Sequence, residues 1–300
     1  MQRLSTDTLP FELALGDSEY PQLLAETPDP PAVLYGFGDP SALVPGLAVI
    51  GARKATPYGL QAGRLFAGWA AQAGYTIISG GAVGCDQAAH RAALEHNAPT
   101  VAVLGCGADL VYPSNAGELL AQIARAGAVV SEHPWGTVPQ RWMFRTRNRI
   151  IAGLSAGLLV LEAGLPSGTF GTADYALAAG RDVFVVPGSI FAPECRGSNR
   201  LLHQGAIPVS DVSELALALE SVLPAPRAGA GDGWSLDTSV SCDDEVLAAV
   251  RTHHWRPDDL ARQLGMDIVS IARRIGVLES QGLVVRFRDG RYGGTPLSRR

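Results

Sequence analysis

Arginine and aromatic side chains crowd one short stretch of the chain, RWMFRTRNRIIAGL at residues 141–154. Arg141, Arg145, Arg147 and Arg149 supply planar, permanently charged forks that fit phosphate or carboxylate oxygens. Trp142 and Phe144 lie among them and offer flat apolar faces of the kind on which exposed bases stack. Ile150, Ile151 and Leu154 recur at helical spacing, which predicts a helix with one buried face. Arg145, Arg147 and Arg149 then fall in its first turn, where the positive end of the macrodipole disfavours cations. An anion shared between backbone N–H groups and guanidinium groups resolves that conflict. The competing reading pairs the arginines with nearby carboxylates and puts both aromatics in the core. The stretch alone does not choose between them.

Three other loops carry residues with chemistry in them. Gly51-Ala52-Arg53-Lys54 follows a short apolar run and precedes Thr56-Pro57, an N-cap and first helical residue. Arg53 is therefore expected in a strand-to-helix loop, as a phosphate contact or as a solvated loop arginine. Ser79-Gly80-Gly81-Ala82-Val83-Gly84 also stands between strand and helix, where glycines let amides approach an anion. It is not G-x-G-x-x-G, and no acidic residue ends the following strand to hold a ribose, so a dinucleotide site has little support. Ser167-Gly168-Thr169-Phe170-Gly171-Thr172 is the third such loop. Asp86 and His90 lie four apart on one helix, an arrangement read here as a cap and a packed histidine in preference to an acid–base pair. Gly153-Leu154-Ser155-Ala156-Gly157 matches G-x-S-x-G, but the predicted order is helix then strand, the reverse of a nucleophile elbow.

These loops need a frame. Strands are predicted at residues 32–35, 47–50, 75–78, 100–104, 127–130, 157–162, 182–186 and 205–209, most of them separated by helices. That alternation gives an α/β fold with a doubly wound sheet, whose strand-end loops gather at one edge. Residues 1–30 read as a polar lead-in with one helix. Residues 222–242 read as a flexible linker between a large domain, 1–221, and a small one, 243–300. The small domain reads as a winged helix-turn-helix, with three helices and a hairpin around Asp289-Gly290. Arg273, Arg274, Arg286, Arg288 and Arg291 could meet duplex DNA or a protein partner there; Asp243, Asp244, Asp258 and Asp259 weaken the DNA alternative.

Composition prunes the remaining classes. The 300 residues are 47% hydrophobic and 18% charged, enough for a sizeable core, with a net charge of −5. That sum opposes coating of duplex DNA by overall charge but leaves a local basic patch open. Lys54 is the single lysine and follows no P-loop glycine pattern, which excludes a Walker-type nucleotidase. Four scattered cysteines without C-x-x-C suggest neither zinc nor a disulfide framework. No metal or cofactor is expected. No run is long and apolar enough to span a bilayer, and the first residues lack a secretory pattern, so a cytoplasmic location is expected.

Several pieces, in order, resemble the DNA-processing protein A family (DprA, also called Smf). They are Tyr20-Pro21, Gly51-Ala52-Arg53, Ser79 through Asp86 with Ala89-His90, and Tyr112-Pro113. Ser131-Glu132, Phe144 with Arg147-Asn148-Arg149, Ser167-Gly168 with Thr172-Ala173, Pro187-Gly188 and Gly205-Ala206 complete the set. The resemblance implies an extended Rossmann-like domain that binds single-stranded DNA without catalysis. It also implies a homodimer that protects incoming strands in natural transformation and loads the RecA recombinase. Arg53 would be the phosphate-pocket arginine, Phe144 the stacking aromatic and Arg141 the expected basic residue before it. Cys85 and Phe170-Gly171 depart from the usual aliphatic residues, and the helical N-terminal domain of many members is not expected ahead of Tyr20. Two rivals remain. A nucleotide phosphoribohydrolase of related fold needs a glutamate where Tyr175 stands, with Asp174 one residue early. A regulator would read duplex DNA through its winged helix.

Overall fold

The computed structural model describes residues 2–223, 245–280, 283–287 and 289–294. Contacts divide the chain into two compact units, Met1–Gly231 and Asp232–Arg300.

The first unit opens with β1 (Pro10–Ala14), α1 (Gln22–Ala25) and β2 (Val33–Gly38). An alternating series follows: β3 (Gly46–Ile50), α2 (Pro57–Gln72), β4 (Ile77–Ser79), α3 (Cys85–Glu95), β5 (Thr100–Val103), α4 (Gly117–Ala126) and β6 (Ala128–Ser131). The arginine-rich stretch forms α5 (Met143–Thr146) and α6 (Asn148–Leu154), and leads directly into β7 (Ser155–Val160). The unit closes with α7 (Thr169–Ala178), β8 (Asp182–Val185), α8 (Arg196–His203), β9 (Ile207–Pro208) and α9 (Val212–Glu220).

Among the described residues these strands form one sheet in the order β1-β2-β6-β5-β4-β3-β7-β8-β9. From β6 to β9 every neighbouring pair is parallel, whereas β2 runs antiparallel to both β1 and β6. The parallel strands are apolar along their length because both faces are covered. Val101 and Val103 point to the layer of α6 and α7, while Ala102 and Leu104 point to the layer of α4. That is the two-residue alternation of a strand.

Local signals explain where the helices begin. Thr56 Oγ1 accepts the N–H of Gly59 and Pro57 takes the first helical position, so α2 starts where the sequence predicts. The lead-in differs from expectation, since residues 10–14 form a strand and not only a helix. Leu13 is its buried residue, and Pro10 is tolerated because the strand lies at the sheet edge.

The second unit consists of α10 (Glu245–Thr252), α11 (Pro257–Leu264), α12 (Ile268–Ser280) and the antiparallel pair β10 (Val284–Arg286) and β11 (Tyr292–Gly294). Gly265 in the left-handed region ends α11. Val246, Leu247, Val250, Leu260, Ile271, Ile275 and Leu278 form its core. Arg273, Arg274 and Arg286 are exposed, and Arg291 is closed onto Asp289 of its own turn at 2.6 Å. Arg288, Asp243, Asp244 and the 224–242 part of the expected linker lie outside the described residues. No described helix is long and apolar enough to cross a membrane.

Candidate nucleic-acid interface

The chain runs outward from β3 through β4, β5 and β6, then returns to the other side of β3 with β7. In open α/β sheets ligands bind at such a reversal, beyond the carboxyl ends of the strands. A cleft of about 370 Å³ lies there, between Gly51-Ala52-Arg53 after β3 and Gly164, Pro166, Ser167, Gly168 and Thr169 after β7. A smaller cleft of about 160 Å³ adjoins it over β4 and β5, lined by Gly80, Val83, Gly105, Tyr112 and Pro113. Arg53, Ala82, Phe144 and Arg147 border both.

Arg53 and Phe144 form the divide. The exposed guanidinium carbon of Arg53 lies 5.8 Å from the Phe144 ring centroid, a cation–π contact, and no carboxylate pairs with it among the described residues. Phe144 leans on Tyr112 with centroids 4.8 Å apart. It sits directly over Gly105, where a Cβ would come within 2.8 Å of Cδ1. The glycine after β5 therefore makes room for the aromatic on α5.

Arg147, expected as a phosphate contact, has a different position. It is 4% exposed and its Nη1 donates to Gly80 O at 2.8 Å and to Val103 O, tying the ends of β4 and β5 to the α5–α6 junction. Glycine at position 80 leaves room for this fork, because a Cβ there would meet Nη2 at 2.6 Å and push the guanidinium off its carbonyls. Across from it Asp86, in the first turn of α3, accepts from the N–H of Ala82 at 3.3 Å. Burial raises the Asp86 pKa against the pull of Arg147 and Arg53, and burial lowers that of Arg147 to about 10. Desolvation outweighs attraction on both partners, as in a dry site.

The other expected residues separate into two groups. Arg149 is half-buried and forked onto Glu132 at 2.7 and 3.1 Å, with its Nε on Asp29 at 2.8 Å, so for this residue the carboxylate-paired reading holds. Burial lowers its pKa, the two carboxylates raise it, and the net shift is upward. Ser79 is fully buried with its hydroxyl donated to Val49 O at 2.6 Å, and Gly81 is buried too, so neither presents a group to the clefts. Gly80 borders the smaller cleft; Asn148, Ser167, Gly168 and Thr172 border the larger. Arg141 and Arg145 are exposed and have no ion pair among the described residues.

Two residues were missed. Tyr112, visible in the sequence as part of a Tyr-Pro pair, supports Phe144. Glu162, visible only as an acid ending an apolar strand, is fully buried and accepts from the N–H and hydroxyl of Thr56 at 3.1 and 2.9 Å. Burial raises its pKa first of all. The helix starts around the clefts are thus unequal: α2 carries Glu162 and α3 carries Asp86, whereas α7 starts on the hydroxyl of Ser167, which accepts from Thr169 N at 3.2 Å. An incoming anion meets the protein's own carboxylates at the first two and none at the third.

The geometry also bears on three enzyme patterns. Ser155 begins β7 immediately after α6, buried, with its hydroxyl donated to Ala152 O at 3.0 Å. His90 is buried with Nδ1 2.8 Å from Thr100 Oγ1, the packed histidine of the sequence reading. Tyr175, at the position of the hydrolase glutamate, is exposed on α7.

Residues 12–220 match the sequence model of the family described as DNA recombination-mediator protein A. The chain belongs to that family. Protein Smf of Escherichia coli (strain K12) is 40% identical over 281 residues, covering 91% of this chain and 75% of that protein. Protein Smf of Synechocystis is 41% identical over 218 residues, which cover 71% of this chain and 55% of the relative. The chain therefore spans about half the length of the latter. Among solved structures, DNA processing protein A from Streptococcus pneumoniae superposes with a TM-score of 0.66 at 35% identity, covering 70% of this chain and 74% of that one. DNA processing protein A from Helicobacter pylori, described for its unique single-stranded DNA binding mode, gives 0.65 at 30% identity over 73% of this chain and 99% of its own.

Proposed function

We propose that the carboxyl edge of the large sheet binds single-stranded DNA during recombination. The observation that carries this reading is the Arg53–Phe144 pair at the strand reversal, one cation and one aromatic face between two clefts. Single-strand binders combine those two elements: positive charge follows the backbone and aromatics stack the bases without regard to sequence. In this reading a phosphate sits in the larger cleft between Arg53 and the first turn of α7, a turn that carries no carboxylate of its own, with Asp86 on the α3 side of the same cleft. The adjacent base lies on Phe144. The Helicobacter pylori relative supports the substrate class. Protection of incoming strands in natural transformation, loading of RecA, homodimer formation, and duplex DNA or protein contact through a winged helix extend the same proposal to partners.

A salt titration of binding to oligo-dT, with matched duplex as control, tests it. Arg53→Ala weakens binding to all single strands and reduces the slope of log K against log salt by about 0.7. Phe144→Ala costs about 1–3 kcal/mol if one base stacks there. Unchanged affinity in both variants refutes the reading.

A further inference from the structure

Trp142 is half exposed, at 53%, two residues before Phe144, and nothing in the Arg53–Phe144 site uses it. Its backbone is already helical, φ −69° and ψ −33°, so with 3.6 residues per turn its side chain leaves α5 about 200° around from that of Phe144. Phe144 lies on Gly105 after β5, and Trp142 lies edge-on to His133 after β6, with ring centroids 6.0 Å apart and planes at 86°. The two aromatics thus stand over neighbouring strands. The indole is held in place, because Nε1 donates to Gln140 Oε1 at 2.8 Å.

A single exposed aromatic needs no explanation, but the surroundings of this one are chemically biased. Arg145 lies three residues on, hence on the same face, and Arg141 precedes it. Both are exposed without an ion pair among the described residues. No aspartate or glutamate occurs between Glu132 and Glu162. The opposite end of the same sheet edge offers a rival, the loop after β8 with Phe191 at 89% exposure, but Glu194 and Asp174 are exposed nearby in sequence or on the adjoining helix. A polyanion leaving the clefts meets two unpaired arginines over β6, where the carboxylates of Glu132 and Glu12 are engaged by Arg149 and Trp135, and mixed charge over β8.

We propose that Trp142 is a second base-stacking platform, and that the bound strand leaves the clefts over β6, with Arg141 and Arg145 following its phosphates. This rests on the single-strand reading above and adds to it a direction and a footprint longer than the clefts.

The test uses the full chain and labelled oligo-dT of two lengths, about five and about sixteen nucleotides, within the range of single-strand site sizes. Trp142→Ala should leave the short oligomer unaffected and lose about tenfold on the long one, equivalent to about 1.4 kcal/mol. Trp142→Phe should retain most of the affinity. Arg145→Ala should lower the salt slope by about 0.7 on the long oligomer alone. Quenching of tryptophan emission by the long oligomer should diminish in Trp142→Phe. Phe191→Ala should change neither length. Wild-type affinity of Trp142→Ala for the long oligomer overturns the proposal, and so does a loss confined to Phe191→Ala. If Arg53→Ala and Phe144→Ala bind both lengths normally, the underlying single-strand reading has failed instead.

Discussion

Replacing Arg147 with alanine separates a structural arginine from a DNA-binding one. Its guanidinium is buried, bonds the carbonyls of Gly80 and Val103, and faces the buried carboxylate of Asp86. Removal strands two acceptors and leaves Asp86 without its main counter-charge. Breaking a buried charge pair from one side costs about 3–5 kcal/mol. Because the chain has two units, a single denaturation midpoint is not a clean readout. Amide hydrogen exchange in β4 and β5, whose ends Arg147 joins, reports the local stability directly. Exchange there should accelerate more than about a hundredfold, since each 1.4 kcal/mol is tenfold. Arg147→Ala with Asp86→Asn should recover part of the loss, as expected of coupled neighbours. Arg149→Ala makes the comparison: its partners reach solvent, so about 1.5–3 kcal/mol and no change of salt slope are expected. If Arg147→Ala keeps full protection while the salt slope falls by about 0.7, the fork contacts phosphate and the structural assignment is wrong.

Two further perturbations follow from buried groups. Glu162→Ala removes the acceptor for the N–H and hydroxyl of Thr56, so it should destabilise the start of α2 by about 1.5–3 kcal/mol as read by amide hydrogen exchange there, and weaken oligo-dT binding through the displaced Arg53 loop; Glu162→Gln should preserve both. His90 gives an acid-sensitivity test. Thr100 Oγ1 donates to Ile77 O, so it must accept from Nδ1–H of His90, leaving Nε2 bare and buried. Burial first, then the charges of Arg147 and Arg91, lowers the His90 pKa from 6.5 to about 3. The unfolded state binds the proton first, so stability falls as pH drops from about 6.5 toward 3, and His90→Leu should flatten that fall as read by amide hydrogen exchange in α3 and β5 across the window.

Much of the frame was legible because its signals are local. Thr56-Pro57 marks a helix start, Gly265 a stop and Asp289-Gly290 a turn through properties of the residues themselves. Residues 10–14 were not legible as a strand, since among the described residues they pair with β2 alone and the pairing gives few local cues. Arg145, Arg147 and Arg149 look equivalent in sequence, yet one is exposed, one buried and one paired. Their fates depend on Gly80 and Val103, 67 and 44 residues away, and on Asp29, 120 residues away. The dipole conflict that suggested an anion is also milder than it seemed. Backbone N–H groups near the start of α6 bond to carbonyls at its junction with α5, as Arg147 N does to Met143 O and Ile150 N to Arg147 O. An N-terminus already occupied in this way has less need of an anion.

With DNA bound as proposed, the position of Asp86 predicts proton uptake on binding. This carboxylate borders the larger cleft, where the proposed phosphate lies, and burial already raises its pKa against the opposing charges of Arg147 and Arg53. A phosphate arriving beside it adds a like charge and draws Arg53 toward itself, and both effects favour the protonated acid. Binding then takes up a proton, and by linkage affinity must rise as pH falls. The rise cannot exceed about tenfold per pH unit, the limit for one proton. Isothermal titration with oligo-dT in buffers of different ionisation enthalpy measures the uptake directly, and Asp86→Asn should abolish it while tightening binding at neutral pH. Phosphates elsewhere on the surface lie farther from the carboxylate and are screened over about 10 Å at 0.1 M salt, so they would leave the titration flat. Binding whose affinity and proton uptake stay flat at every pH across the Asp86 titration would move the phosphate out of this cleft.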